Sequence, residues 1–211
     1  MRLPQEGYEM VVRVRSTEDG RATEDRTYKI LSKGNENTLV LTVEPAAERG
    51  QVLLMKARDL WIFLPRVSQP VRLSLAQRLT GQVANGDLAR ANFAGDYNAR
   101  LSGTERVGGD SMYVLELAAV DRRVTYQRVR YWVRQKDFRP YKAEFYSVSD
   151  RLLKSCTYED FRTLGGQPRP TRLVMVDALN KGSSSTLLYS DLKLRELPDH
   201  VFTKEYLRRL E

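Results

Sequence analysis

The chain has one cysteine, Cys156, and one histidine, His200. A lone cysteine excludes an internal disulfide and any cluster built on several thiolates. A lone histidine excludes multi-histidine zinc sites and disfavours a histidine-centred triad. Cys156 lies in a strand-like stretch and reads as a small packing residue. His200 follows Pro198-Asp199 and reads as part of a helix start. Long apolar runs are also missing. The longest, Leu60–Leu64, is far short of the roughly 20 residues of a transmembrane helix. Met1-Arg2-Leu3-Pro4-Gln5-Glu6 has no apolar core and does not read as a secretory signal, so a removed leader is left open. There is no Gly-x-Ser-x-Gly elbow, and Gly108-Gly109-Asp110 and Gly165-Gly166 lack the strand-to-helix setting of a phosphate loop. The acidic pairs Glu18-Asp19, Glu24-Asp25 and Glu159-Asp160 are sequence neighbours, which point to opposite faces of a strand. The sequence therefore nominates no catalytic residue, no metal site and no cofactor.

What is present describes a folded chain. Of 211 residues, 41% are apolar and 29% charged, which places the chain among globular proteins and not disordered ones. The expected organisation is one large domain over 1–211. The 35 basic residues outnumber the 27 acidic ones, for a formal net charge of +8. That balance favours acidic partners: nucleic acid, anionic lipid headgroups or acidic protein surfaces.

The stretch from Asp59 to Tyr97 organises the rest. Asp59–Arg66 is apolar on both faces and predicts a strand covered on both sides, ended by Pro65. Beyond Val71-Arg72-Leu73 the pattern breaks up. Leu75, Ala76, Leu79 and Val83 predict a helical turn or two, and Gly81, Gly86 and Gly95 follow or interrupt them. A loop-and-helix insertion of this length in a strand-rich chain suits a moving cover over one face of a sheet. On either side of it short alternating segments recur. Tyr8–Arg15, a strand to about Ser32, Thr38–Val43 and Gln51–Lys56 lead in; Met112–Val120, Val124–Gln135, Tyr141–Ser147, Leu152–Tyr158, Thr171–Leu179 and Thr186–Leu194 lead out. A last helical segment is expected over Asp199–Leu210.

The expected fold class is mainly β: about 11 strands in a strongly curved antiparallel sheet that forms an incomplete, unclosed β-barrel, with short helices covering the concave face. Alternation nominates Tyr8, Met10, Val12, Leu39, Leu41, Leu60, Ile62, Leu64, Tyr113, Leu115 and Leu117 for that face. One other feature competes for a function. Arg128, Arg130, Trp132 and Arg134 share one face of a strand, a basic strip with an aromatic such as nucleic-acid-binding sheets use. No Gly-aromatic RNA-binding motif accompanies it, and an outward solvated face is the plainer reading.

The order of several motifs resembles a known family. Leu60-Trp61-Ile62-Phe63-Leu64-Pro65-Arg66 comes first, then the insertion with Gly86-Asp87-Leu88. Pro168-Arg169-Pro170-Thr171-Arg172-Leu173-Val174-Met175-Val176 and Thr186-Leu187-Leu188-Tyr189-Ser190-Asp191-Leu192 follow, and Leu197-Pro198-Asp199-His200-Val201-Phe202-Thr203 ends the series. From about Tyr8 to Leu210 this order resembles the LolA-like outer-membrane lipoprotein-sorting proteins of the bacterial envelope. The resemblance implies a periplasmic, non-enzymatic carrier or chaperone whose apolar cavity holds acyl chains of a lipid or lipoprotein, the eleven residues above lining it. It also implies inner- and outer-membrane partner proteins, with a signal peptide or lipid anchor removed ahead of this sequence. Nucleic acid is not an expected partner, and no transmembrane segment is expected. A sensor or scaffold of the envelope using the same fold without transport is the alternative, and a nucleic-acid-binding β-protein a more distant one. The family's helix before the first strand has no counterpart here, and its lid-gating arginine is assigned to no arginine of this chain.

Overall fold

The computed structural model describes residues 4, 6–67 and 69–207. In chain order the strands are β1 (Tyr8–Glu18), β2 (Arg21–Lys33), β3 (Asn37–Glu44), β4 (Val52–Lys56), β5 (Asp59–Phe63), β6 (Val71–Leu73), β7 (Arg78–Thr80) and β8 (Val83–Ala84). After helix α1 (Asn85–Ala89) come β9 (Tyr97–Val107), β10 (Asp110–Ala119), β11 (Arg128–Arg134), β12 (Pro140–Tyr146), β13 (Leu152–Leu164), β14 (Gln167–Asp177) and β15 (Ser183–Leu194). A 3-10 turn, Asp199–Phe202, and a short helix α2 (Lys204–Leu207) follow.

Thirteen strands form one antiparallel sheet in the order β6-β5-β4-β3-β2-β1-β15-β14-β13-β12-β11-β10-β9, and β7 and β8 make a separate two-stranded ribbon. The sheet is unclosed: β6 and β9 are its two edges. The fold is the mainly β, incomplete barrel expected from the strand rhythm. The main sheet has two strands more than expected: the three-residue β6, and β9, which has no apolar alternation to announce it. Its residues 98–106 are exposed whichever way they point, so no face needed to be apolar.

Register separates two faces. Met10, Ile30, Val40, Leu53 and Ile62 stand side by side across five strands and belong to the inner core, which continues through Val129, Phe145, Cys156, Met175 and Leu187. On the outer face Leu31, Leu39, Leu54 and Trp61 form the matching row, and Leu197, Phe202 and Leu207 lie over it. Full burial of a side chain such as Leu54 or Phe202 is worth about 2 to 3 kcal/mol, which is what holds the last segment against the sheet. β5 is thus covered on both sides, as its sequence predicts.

Two local expectations are corrected. Leu75–Val83 is not helical: it forms turns and the β7–β8 ribbon, and the helix comes later, over Asn85–Ala89. Gly81 has φ +49 in the ribbon's turn, and a Cβ there would come within 2.0 Å of the Ser16 hydroxyl oxygen. A left-handed residue pressed against the sheet ends any helix at that point. The last helical segment is shorter than the spacing suggests, a 3-10 turn and then α2, and Leu210 lies outside the described residues. Thr203 caps α2, its hydroxyl accepting from Tyr206 N at 3.2 Å, while His200 packs edge-on against the Tyr206 ring.

Candidate functional site

Segment 74–96 crosses the inner face and fills its centre. Leu75, Val83 and Leu88 are almost wholly buried against the inner core. Its own backbone bonds, such as Asn85 N to Gln77 O and Gly86 N to Leu75 O, both 2.9 Å, close within the segment. Its ribbon pairs with no strand of the main sheet. The cover is therefore an internally bonded unit seated on the sheet, without a ladder joining the two.

Polar contacts fix it at three places. At one end Gln82 donates its backbone N–H to Ser185 Oγ at 2.8 Å and its side-chain amide to Ser183 Oγ at 2.9 Å. In the middle Asp87 accepts from Lys154 Nζ at 3.0 Å, from the Tyr126 hydroxyl at 2.8 Å and from Ala84 N at 2.8 Å. Lys154 also donates to the Gln82 carbonyl. Both members of this ion pair are buried, at 8% and 7% side-chain exposure. Burial first, and the Asp87 carboxylate second, hold the Tyr126 phenol well above its ordinary pKa, so it remains a donor. At the far end Arg90 grips Asp96 through two nitrogens and donates to the Asn35 and Ala57 carbonyls, while Arg58 adds a bond to Asp96 at 2.9 Å. Gly86 sits so close to β10–β11 loop residue Thr125 that a Cβ would meet its Oγ1 at 1.9 Å.

The residues nominated by alternation divide. Tyr8, Met10, Val12, Leu60 and Leu117 are buried in the inner core, and Ile62 and Leu115 pack against it. Tyr113 lies on the same face at its uncovered end, stacked on Phe138 with ring centroids 6.4 Å apart. Leu64 lies beyond the end of β5 and belongs to neither cluster. Leu39 and Leu41 are on the other face, packed with Leu54, Phe63 and Phe202, and it is Val40 that points inward. Leu39-Val40-Leu41 is apolar at every position, so alternation within β3 cannot choose a face; pairing with β2 does.

Lys154, Asp87, Arg90 and Asp96 are not among the residues that alternation marks. A signal for Lys154 existed, because it shares strand parity with Cys156 and Tyr158, both buried in the inner core. A lysine in that row needs a buried partner. Cys156 is itself buried, and burial pushes its thiol pKa up, which suits packing and not nucleophilic chemistry.

Little space remains under the cover. Between α1, Tyr126, Phe145 and Met175 the cavity is about 40 Å³. A larger cleft of about 680 Å³ opens beside it, walled by Phe93, Tyr131, Phe138 and Phe161, with Arg139 and Arg169 among its lining. The arginine strip of β11 lies on the opposite, outer face. Its charges are met: Arg128 by Glu116 and Asp150, Arg130 by Glu105, Arg134 by Asp110 and Asp137. Arg128 covers the Tyr146 ring and Arg130 the Trp132 ring.

A family model described as an uncharacterized protein matches residues 34–209. No curated protein matches. Among solved structures, a LolA superfamily protein from Nitrosomonas europaea is 58% identical, with a TM-score of 0.92 over 97% of this chain and 93% of that one. A DUF1329 family protein from Desulfovibrio piger is 25% identical, with a TM-score of 0.81 over 96% and 91%. A putative outer membrane lipoprotein-sorting protein domain from Vibrio parahaemolyticus shares the fold at 21% identity, with a TM-score of 0.83 over 98% and 93%. The unclosed thirteen-stranded sheet, the seated cover and 58% identity across nearly the whole of both chains make this protein a member of the LolA superfamily.

Proposed function

We propose that the protein is a periplasmic carrier that holds an acyl chain of a lipid or lipoprotein against the inner face of the sheet, segment 74–96 moving aside to admit it. The observation that carries this reading is the cover: an apolar concave face is closed by a segment that shares no ladder with it. Family membership supports the same role, and the Vibrio relative is named for lipoprotein sorting. Transfer toward the outer membrane would then require a delivering partner at the inner membrane and an accepting one at the outer. The chemistry is displacement and burial, with no bond made or broken.

The energies make exchange feasible. A dozen methylenes gain on the order of 10 kcal/mol gross on burial. Seating Leu75, Val83 and Leu88 gains the cover about 2 kcal/mol each, so chain and cover compete on comparable terms. Lost freedom on association takes a further share, and micromolar affinity is the expected result. The 40 Å³ beneath the cover holds little more than a water molecule, so a chain seated there takes the place of the cover.

Leu115 tests the reading. Leu115→Arg places a charge at the inner face at a cost of several kcal/mol, and it abolishes binding of a fluorescent fatty acid. Ala118→Arg, on the exposed outer face of the same strand, leaves binding intact. Glu116 is a poorer control because it accepts from Arg128 at 2.9 Å. Equal binding by two folded variants, or no uptake by the wild type, refutes the proposal.

A further inference from the structure

The two edges of the sheet are unequal. β6 offers three residues, whereas β9 offers eleven, and residues 98–106 are exposed throughout. A long free edge presents a row of unpaired backbone donors and acceptors. Side chains along β9 fall on both faces by register with β10. Leu101 and Thr104 lie inward, opposite Leu115 and Tyr113; Arg100, Gly103 and Glu105 lie outward, opposite Glu116, Val114 and Met112. Ser102 is the extra residue of a bulge between the two halves. Leu101 is 56% exposed, and Arg100 has no ion-pair partner among the described residues.

We propose that β9 is the contact strand of a homodimer, pairing antiparallel with β9 of a second copy so that Arg100 of each stands opposite Glu105 of the other. The occupant is a second copy because the strand is complementary to itself. The bulge inverts the alternation midway, so an antiparallel copy brings like faces together when the two-fold axis passes between Ser102 and Gly103. In that register Arg100 gains a carboxylate, twice over, and Leu101 is covered by Thr104 and its neighbours. Glu105 already accepts from Arg130 and Trp132, at 3.0 and 2.8 Å, and a carboxylate has room for about four hydrogen bonds. Sliding the copy by two residues along keeps the faces matched but sets Arg100 against Val107 or Gly103, losing both ion pairs. Bulge and charges thus act against indiscriminate edge pairing while leaving one register open. The contact is narrow, which places the dimer among weak, concentration-dependent associations.

Sedimentation of the whole chain from about 5 to 500 µM should show a monomer–dimer equilibrium. Arg100→Glu sets like charges opposite each other at both ends and should lower the association constant about tenfold or more. Glu105→Arg should do the same by the opposite sign. An equimolar mixture of the two variants should regain the dimer, because each copy then supplies the charge the other needs. A wild type that stays monomeric overturns the proposal, as does a dimer that ignores Arg100→Glu, or a mixture of folded variants that fails to associate. Should Glu105→Arg not fold, wild-type hydrogen exchange decides. Amides of 97–107 must slow as concentration rises, and rates that do not change overturn the pairing.

Discussion

Lys154 is the side chain on which the cover's position most depends. It stands in a row of apolar residues on β13 and is tolerable there only because Asp87 arrives with the cover. Removing one member leaves the other charge buried alone, which costs about 3 to 5 kcal/mol. Lys154→Met should therefore lower stability by that order in chemical denaturation. Pairing it with Asp87→Leu should recover part of the loss. Recovery stays partial because Ala84 N and the Tyr126 hydroxyl also bond to Asp87. If the double variant is no more stable than Lys154→Met alone, the ion pair is not what fixes the cover. At this scale the sequence was readable wherever a strand had one polar face. Tyr8, Met10, Val12 and Val14 alternate with a face that carries Glu9, Arg13 and Arg15, and they point inward. In Leu39-Val40-Leu41 both faces are apolar, and only the partner strand decides which points where.

Among the elements, the cover differs from every strand it touches. β4 is bonded along both sides, whereas 74–96 relies on its own turns and on polar attachments at three places. Amides in such a segment open more readily than those of a doubly paired strand. Added oleate should speed exchange at Gln82, whose N–H is held by Ser185 of the sheet, and leave Leu53–Met55 unchanged. A uniform response, or none, would show that the fatty acid enters without moving the cover. The existence of an insertion was legible from its glycines and its broken pattern. Its internal form was not, because Gly81 is shaped by Ser16 and Ser185, residues far away in the chain. β9 is silent in the sequence for a related reason: a strand exposed on both faces carries no burial pattern to read.

For the whole molecule, a formal charge of +8 leaves open an association with nucleic acid. The distribution of that charge argues otherwise, since the densest arginine strip is matched by Glu105, Asp110, Glu116, Asp137 and Asp150. Phosphate contacts would have to displace these carboxylates. Binding to single-stranded or duplex DNA should be weak and vanish by about 150 mM salt, as non-specific contacts do; a tight complex in a filter assay at that salt would contradict this. The chain's path has a further consequence. From the central β1–β15 ladder it runs outward to β6, crosses to β9 at the opposite edge, and works back. The crossing is segment 74–96, so the cover is also the tether between the two rims of the opening. Unravelled, it would reach roughly 80 Å at about 3.5 Å per residue. Thirteen strands laid flat at about 4.8 Å spacing span about 58 Å. Chain length therefore never limits how far the rims can part. The opening is set by the attachments at Ser185, Lys154 and Arg58, and a cargo that undid them one by one would meet a mouth of graded width.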